Sequence, residues 1–242
     1  MRLNELRKVE NVRIFLCLFL VLSGPLVFAA EKMIATGEVF DPSGKEKKFI
    51  YEKYQAIEGD KIFDRAVYKD LKGQILVEEK METLKGELVH YDIEHRQLKH
   101  HAWIETPAGK VIFNLQKMGK EKETAEAKKP DAFTVPLQIS PLVHRRWEDL
   151  VASKAQKIQL GVWGRLESIS FTLVVAEQNE DAMTIKMYPS NMLLRVLVKP
   201  LYFVFDKKTK YMTEYKGRIV PKVDSNGDLS DYDGLTKYKY LN

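Results

Sequence analysis

Four of the five histidines stand close together, at His90, His95, His100 and His101, with Asp92 among them. If the chain turns back at His95–Gln97, Asp92 falls roughly opposite His101, and His90 opposite Trp103. His90, Asp92 and His101 could then hold zinc or copper, or an Asp-His pair could move a proton. The spacing matches no diagnostic ligand pattern, and imidazoles on the polar face of a strand are satisfied by water. Neither a metal nor an acid/base catalyst is therefore expected there.

Asp224, Asn226, Asp228 and Ser230 place oxygen ligands at positions 1, 3, 5 and 7 of a calcium loop. Leu229 sits where such a loop turns on glycine, and Leu235 where its bidentate Glu belongs, so a solvated Asx-turn segment is expected instead. No G-x-S-x-G, H-E-x-x-H, phosphate-binding or dinucleotide-binding glycine motif occurs. A non-enzymatic protein without a cofactor follows as the expectation.

The elements that could position these residues are mostly strands. From Met33 to Met118, turn signals recur at short, even spacing: Asp41-Pro42-Ser43-Gly44, Glu58-Gly59-Asp60, Leu71-Lys72-Gly73, Lys85-Gly86-Glu87, His95-Arg96-Gln97 and Pro107-Ala108-Gly109. The segments between them are rich in Val, Ile, Tyr and Phe, which reads as an antiparallel meander. In Leu88–Glu94 the alternation puts Val89, Tyr91 and Ile93 on one face and His90, Asp92 and Glu94 on the other. Gly119–Pro130 is dense in Lys and Glu with no large apolar residue, and reads as a solvated loop.

Ser140-Pro141 then opens a helix to about Ser153, with Leu142, Val143, Trp147, Leu150 and Val151 on its apolar stripe. A second strand run follows: Lys157–Trp163, Ser168–Glu177, Ala182–Tyr188, Leu201–Asp206 and Tyr211–Val220. It is interrupted by Ser190–Lys199, a helix apolar on nearly every side, which the sheet must enclose or which must cover something greasy. The tail after Pro221 reads as surface chain.

At the N-terminus, Arg2, Arg7, Lys8 and Arg13 precede the uncharged run Ile14–Ala29, which contains the sole cysteine, Cys17. Sixteen residues of helix span roughly 24 Å, short of a ~30 Å hydrocarbon core, and Gly24-Pro25 interrupts them. With Val27 and Ala29 at the −3 and −1 sites, residues 1–29 read as a cleaved signal peptide and 30–242 as one β-rich domain in the periplasm or outside the cell. That domain has no cysteine, so no disulfide supports it, and a hydrophobic core must. Residues 1–29 hold four Lys/Arg and two Asp/Glu, so their removal lowers the formal charge from +5 to +3. So mild a charge, with no basic stripe, excludes nucleic acid as the expected partner and leaves at most peripheral membrane contact.

The portion Tyr188–Gly217 carries an apolar helix between two strands, then Phe203-Val204-Phe205-Asp206, a Lys-Lys-Thr turn, Tyr211-Met212 and Tyr215-Lys216-Gly217-Arg218. This arrangement resembles the C-terminal half of exported bacterial half-barrel proteins related to the lipoprotein carriers LolA and LolB. The resemblance implies a mainly β fold: a curved antiparallel sheet with a few helices over its concave, lipid-receiving face. It transfers no single functional residue. With it, the apolar residues concentrated in the C-terminal half, Trp147, Trp163, Leu193, Leu194, Leu197, Phe203 and Phe205, become the candidate lining for a lipid or acyl ligand. The alternative expectation is a structural module of the cell envelope that recruits a protein partner through an exposed strand edge.

Overall fold

The computed structural model describes residues Ala30–Leu241; residues 1–29, expected to be a signal peptide, lie outside the described residues. The fold is mainly β, with few helices and a large, curved, unclosed sheet. Its strands are β1 (Lys32–Phe40), β2 (Lys47–Glu58), β3 (Lys61–Lys69), β4 (Ile75–Leu84), β5 (Glu87–His95), β6 (His100–Glu105), β7 (Lys110–Lys117), β8 (Glu123–Lys128), β9 (Phe133–Thr134), β10 (Gln156–Val162), β11 (Glu167–Gln178), β12 (Ala182–Pro189), β13 (Leu201–Asp206), β14 (Met212–Arg218) and β17 (Asp233–Tyr240), while β15 (Val223–Ser225) and β16 (Asp228–Ser230) form a separate hairpin.

The order across the large sheet is β8-β7-β6-β5-β4-β3-β2-β1-β17-β14-β13-β12-β11-β10-β9. Two antiparallel meanders thus run outward from a central pair, β1 and β17, and the curvature brings the outer strands back toward each other. The chain passes from β8 to β9 at the opposite edge through only four residues, Lys129–Ala132. Phe133 there packs edge-on to Phe113 of β7, with ring centroids 6.3 Å apart.

The turns form where Asp, Asn and Gly predict them, because those side chains hold the bend locally. The Asp41 carboxylate accepts from the Ser43 hydroxyl and from the Lys45 and Glu46 amides, bonds that hold its pKa down at about 2. Asp70 accepts from the Lys72 and Gln74 amides around Gly73, whose φ of 87° suits glycine. Gly37 has another task. A side chain at its position would crowd Tyr51 and Tyr238, which meet edge-on over it with centroids 5.3 Å apart.

Two short helices, α1 (Ile139–Arg145) and α2 (Trp147–Val151), lie against the inner face of the C-terminal strands. Their Ile139, Leu142, Val143, Trp147 and Leu150 share a core with Phe171, Leu173, Met183, Ile185, Met187, Phe203 and Phe205. The expected single helix is broken at Arg146, and its first turn begins before Ser140. The Ser140 hydroxyl is engaged with Tyr240 rather than capping the helix.

Four further expectations need correction. The stretch 119–130 is not all loop: Glu123–Lys128 pairs with β7 as a sheet edge, its charges facing solvent. The tail does not stay on the surface, because β17 occupies the centre of the sheet between β1 and β14. In β5 a bulge opposite Glu82/Thr83 shifts the alternation, so Leu88 is buried and Val89 exposed.

The fourth correction concerns 190–199. There α3 (Met192–Leu197) is not enclosed: Met192, Leu193, Val196 and Leu197 are 77, 77, 85 and 79% exposed. Asn191 caps it by accepting from the Leu193 amide at 2.8 Å, while Ser190 bonds with the Thr172 hydroxyl instead.

Candidate ligand-binding cavity

Between the two meanders the inner face of the sheet leaves a cavity of about 510 Å³. Alternation decides who lines it: Ala35, Tyr51, Lys53, Tyr68 and Glu79 come from β1–β4, and Met187, Leu201, Phe203, Met212 and Tyr215 from β12–β14. Tyr238 and Tyr240 of β17 stand between these sets. Leu160 and Val162 of β10, the 3-10 turns around Leu137 and Trp163, and Ile219-Val220 complete the enclosure. The volume lies within the roughly 300–1,000 Å³ typical of small-molecule sites.

One wall is apolar and the other carries polar groups. Tyr51 and Tyr68 meet edge-on at 5.1 Å, and neither hydroxyl has a hydrogen-bond partner among the described residues. Burial raises the pKa of both phenols well above the ordinary value, so both remain protonated donors. Glu79 is 2% exposed and accepts a 2.5 Å hydrogen bond from the Tyr91 hydroxyl. Burial pushes the pKa of its carboxyl up to about 7, against the opposing pull of that hydrogen bond and of the Lys53 charge. Lys53 is held by the Asp64 carboxylate at 3.3 Å, and Asp64 also accepts from Gln55 at 3.0 Å.

At the opposite end, Arg218, Lys222 and Asp231 form ion pairs at the rim, with Asp233 bridging Arg218 and Lys199. Behind Trp163, the His95 ring reaches the Val220 carbonyl at 3.2 Å, and its Nδ1 is buried without a partner among the described residues. Desolvation holds the His95 pKa down at about 4, so the ring is neutral near pH 7 and donates from Nε2.

The sequence-derived candidates divide into three groups. Trp163 and Phe203 line the cavity. Trp147 and Phe205 are buried in the adjoining core and meet each other edge-on at 6.1 Å. Leu193, Leu194 and Leu197 lie on α3 and are absent from the lining. The tyrosines, Lys53 and Glu79 escaped the sequence reading. The available signal was a polar residue on the dry face of an alternating strand, as at Lys53 between Tyr51 and Gln55, or Glu79 between Val77 and Met81.

The histidine arrangement also differs from expectation. Asp92 pairs across the strands with Trp103, and His90 with Glu105. His101 reaches Asp92 diagonally at 2.6 Å on the exposed face, stacked on Trp103. Among the described residues no three His, Cys, Asp or Glu side chains converge as a metal site. The Asp224–Ser230 segment is a two-residue Asn226-Gly227 hairpin, with both central φ angles positive and the Gly227 amide bonded to Asp224.

No family model matches the chain, and no curated protein matches it either. Among solved structures it is similar to an exported protein with a YmcC-like fold from Bacteroides fragilis NCTC 9343, at 7% identity, 89% coverage of this chain, 99% of that chain and a TM-score of 0.31. It is also similar to a porin-like protein from Bacteroides uniformis ATCC 8492, at 9% identity, 88% and 98% coverage and a TM-score of 0.22.

Proposed function

We propose that this is an exported, non-enzymatic binding protein that shelters an apolar ligand carrying one polar group, such as a lipid or an acyl chain. The observation that carries the reading is the cavity itself, where an apolar wall faces the unpartnered Tyr51 and Tyr68 hydroxyls beside Lys53 and Glu79. No protein group engages either hydroxyl among the described residues, so a polar ligand atom would gain their hydrogen bonds without breaking any within the protein. The basic N-terminal segment and its apolar run support export. The alternative, recruitment of a protein partner by strand addition, is opposed by the edge at β8, where Glu123, Glu126 and Lys128 are exposed.

A fluorescent fatty-acid probe tests the reading. The parent protein should bind it at one site, and Met187→Trp, which fills the apolar wall, should abolish binding. The Tyr51→Phe/Tyr68→Phe double variant should keep the parent's unfolding midpoint yet bind about fivefold more weakly, the loss of roughly 1 kcal/mol of hydrogen bonding. Failure of the parent to bind apolar probes of any headgroup would refute the proposal.

A further inference from the structure

Helix α3 is an exposed apolar feature of the C-terminal half: Met192, Leu193, Val196 and Leu197 lie exposed together in the connection between β12 and β13. Soluble surfaces rarely leave four neighbouring large aliphatic side chains uncovered. What surrounds them is ordered. Immediately behind the apolar tip, Tyr188 and Tyr202 stand on the outer face of β12 and β13, half-buried. Lys186 lies near both rings, 5.9 and 6.0 Å from their centroids, and the Arg195 guanidinium lies 4.5 Å from that of Tyr188. Lys199, its side chain 81% exposed, adds a further cation, and the segment Ser190–Lys199 contains no acid.

An aliphatic tip followed by a tyrosine and cation belt is the layering a protein needs at a bilayer surface. Aliphatic groups enter the acyl boundary, aromatic rings sit at headgroup depth, and Lys and Arg meet anionic phosphates. We propose that α3 docks on an anionic phospholipid surface. The docking also orients the cavity. Met187 and Leu201, the cavity residues nearest the two ends of this connection, would face the membrane side of the site, and Arg218 shares Asp233 with Lys199. The docking itself does not require the cavity to be occupied, so it stands or falls separately from ligand binding.

The test uses the full chain with Cys17→Ser and single cysteines at Leu193→Cys or Val196→Cys, labelled with an environment-sensitive fluorophore. Leu71→Cys, in an exposed turn of the other meander, is the control. Vesicles containing phosphatidylglycerol should shift the 193 and 196 labels to the blue and raise their intensity several-fold. The 71 label should not change. Arg195→Glu with Lys199→Glu, or added salt, should weaken the response, as should vesicles of phosphatidylcholine alone. Leu193→Ser with Val196→Ser should lose the vesicle-dependent interaction of α3 while retaining the parent's binding of a fatty-acid probe. Three outcomes overturn the proposal. One is vesicle association without a shift at 193 and 196, as anchoring by residues 1–29 would give. Another is an equal shift at 71. The third is a blue-shifted label before vesicles are added, which would place a second copy or another segment of the chain on α3.

Discussion

Glu79 and His95 are two buried ionisable groups that respond to pH in opposite senses. Glu79 has its pKa raised from 4.5 to about 7, so below 4.5 the carboxyl is neutral in both folded and unfolded chains and costs nothing. As pH rises toward 7 the unfolded chain ionises first, and stability falls by about 3 kcal/mol. His95 has its pKa lowered from 6.5 to about 4, so stability from its neutral ring is complete above 6.5 and is lost as pH falls toward 4. Between about 4.5 and 6.5 the two slopes oppose each other, and their combined effect on the parent is nearly flat. Glu79→Gln keeps an acceptor for the Tyr91 hydroxyl and removes one slope. In denaturant titrations the variant should match the parent near pH 4 and exceed it by about 3 kcal/mol at pH 8. An equal difference at both pH values would mean that Glu79 does not titrate in this window. Val77 and Met81 mark the face of Glu79 as dry, but alternation alone does not say how deeply its carboxyl is buried, and His95 stands in the sequence only as one of four neighbouring histidines.

The elements show what local pattern can and cannot tell. Turns were legible because Asp41, Asp70 and Asp206 hold their own bends through side-chain bonds to nearby backbone amides. Register was less so: one bulged residue in β5 exchanges Val89 for Leu88 in the core. Composition misled most at α3. Its residues are as apolar as those of a buried helix, but among the described residues no second layer lies over the β12–β13 connection, whereas α1 and α2 pack into the core of the C-terminal strands. Stability should follow that placement. Leu197→Ala, at a 79% exposed position, should change unfolding free energy by less than about 0.5 kcal/mol. Phe205→Ala, at 0% exposure against Trp147, should cost about 3–5 kcal/mol. Comparable losses from both in chemical denaturation would contradict an exposed α3.

At the scale of the whole molecule, the decisive strand comes last in the chain. β17 pairs with β1 from Ala35↔Tyr240 to Phe40↔Leu235 and with β14 from Glu214↔Lys237 to Arg218↔Asp233, so it alone joins the two meanders into one sheet. This could not be read from the sequence, since hydrophobic period identifies a strand but not its partners across some 200 residues. Without β17, facing edges of β1 and β14 lose their backbone partners, and Thr236 and Tyr238 leave the interior. Truncation after Tyr232 should therefore abolish cooperative unfolding rather than lower its midpoint. The same pairing places the described ends side by side, with the Leu241 amide bonded to the Ile34 carbonyl at 2.9 Å. A circular permutant that joins residue 241 to residue 31 through a short Gly/Ser linker, and opens the exposed Leu71–Gly73 turn, keeps every strand of that sheet. It should unfold in one transition close to the parent's, monitored by circular dichroism and tryptophan fluorescence together. Its folding rate should stay near the parent's, because the β1–β17 pairing becomes local while the β3–β4 hairpin becomes the long-range pairing of the new ends. Retention of a cooperative transition by the truncated chain would show that the two meanders are stable separately and that β17 is not their keystone.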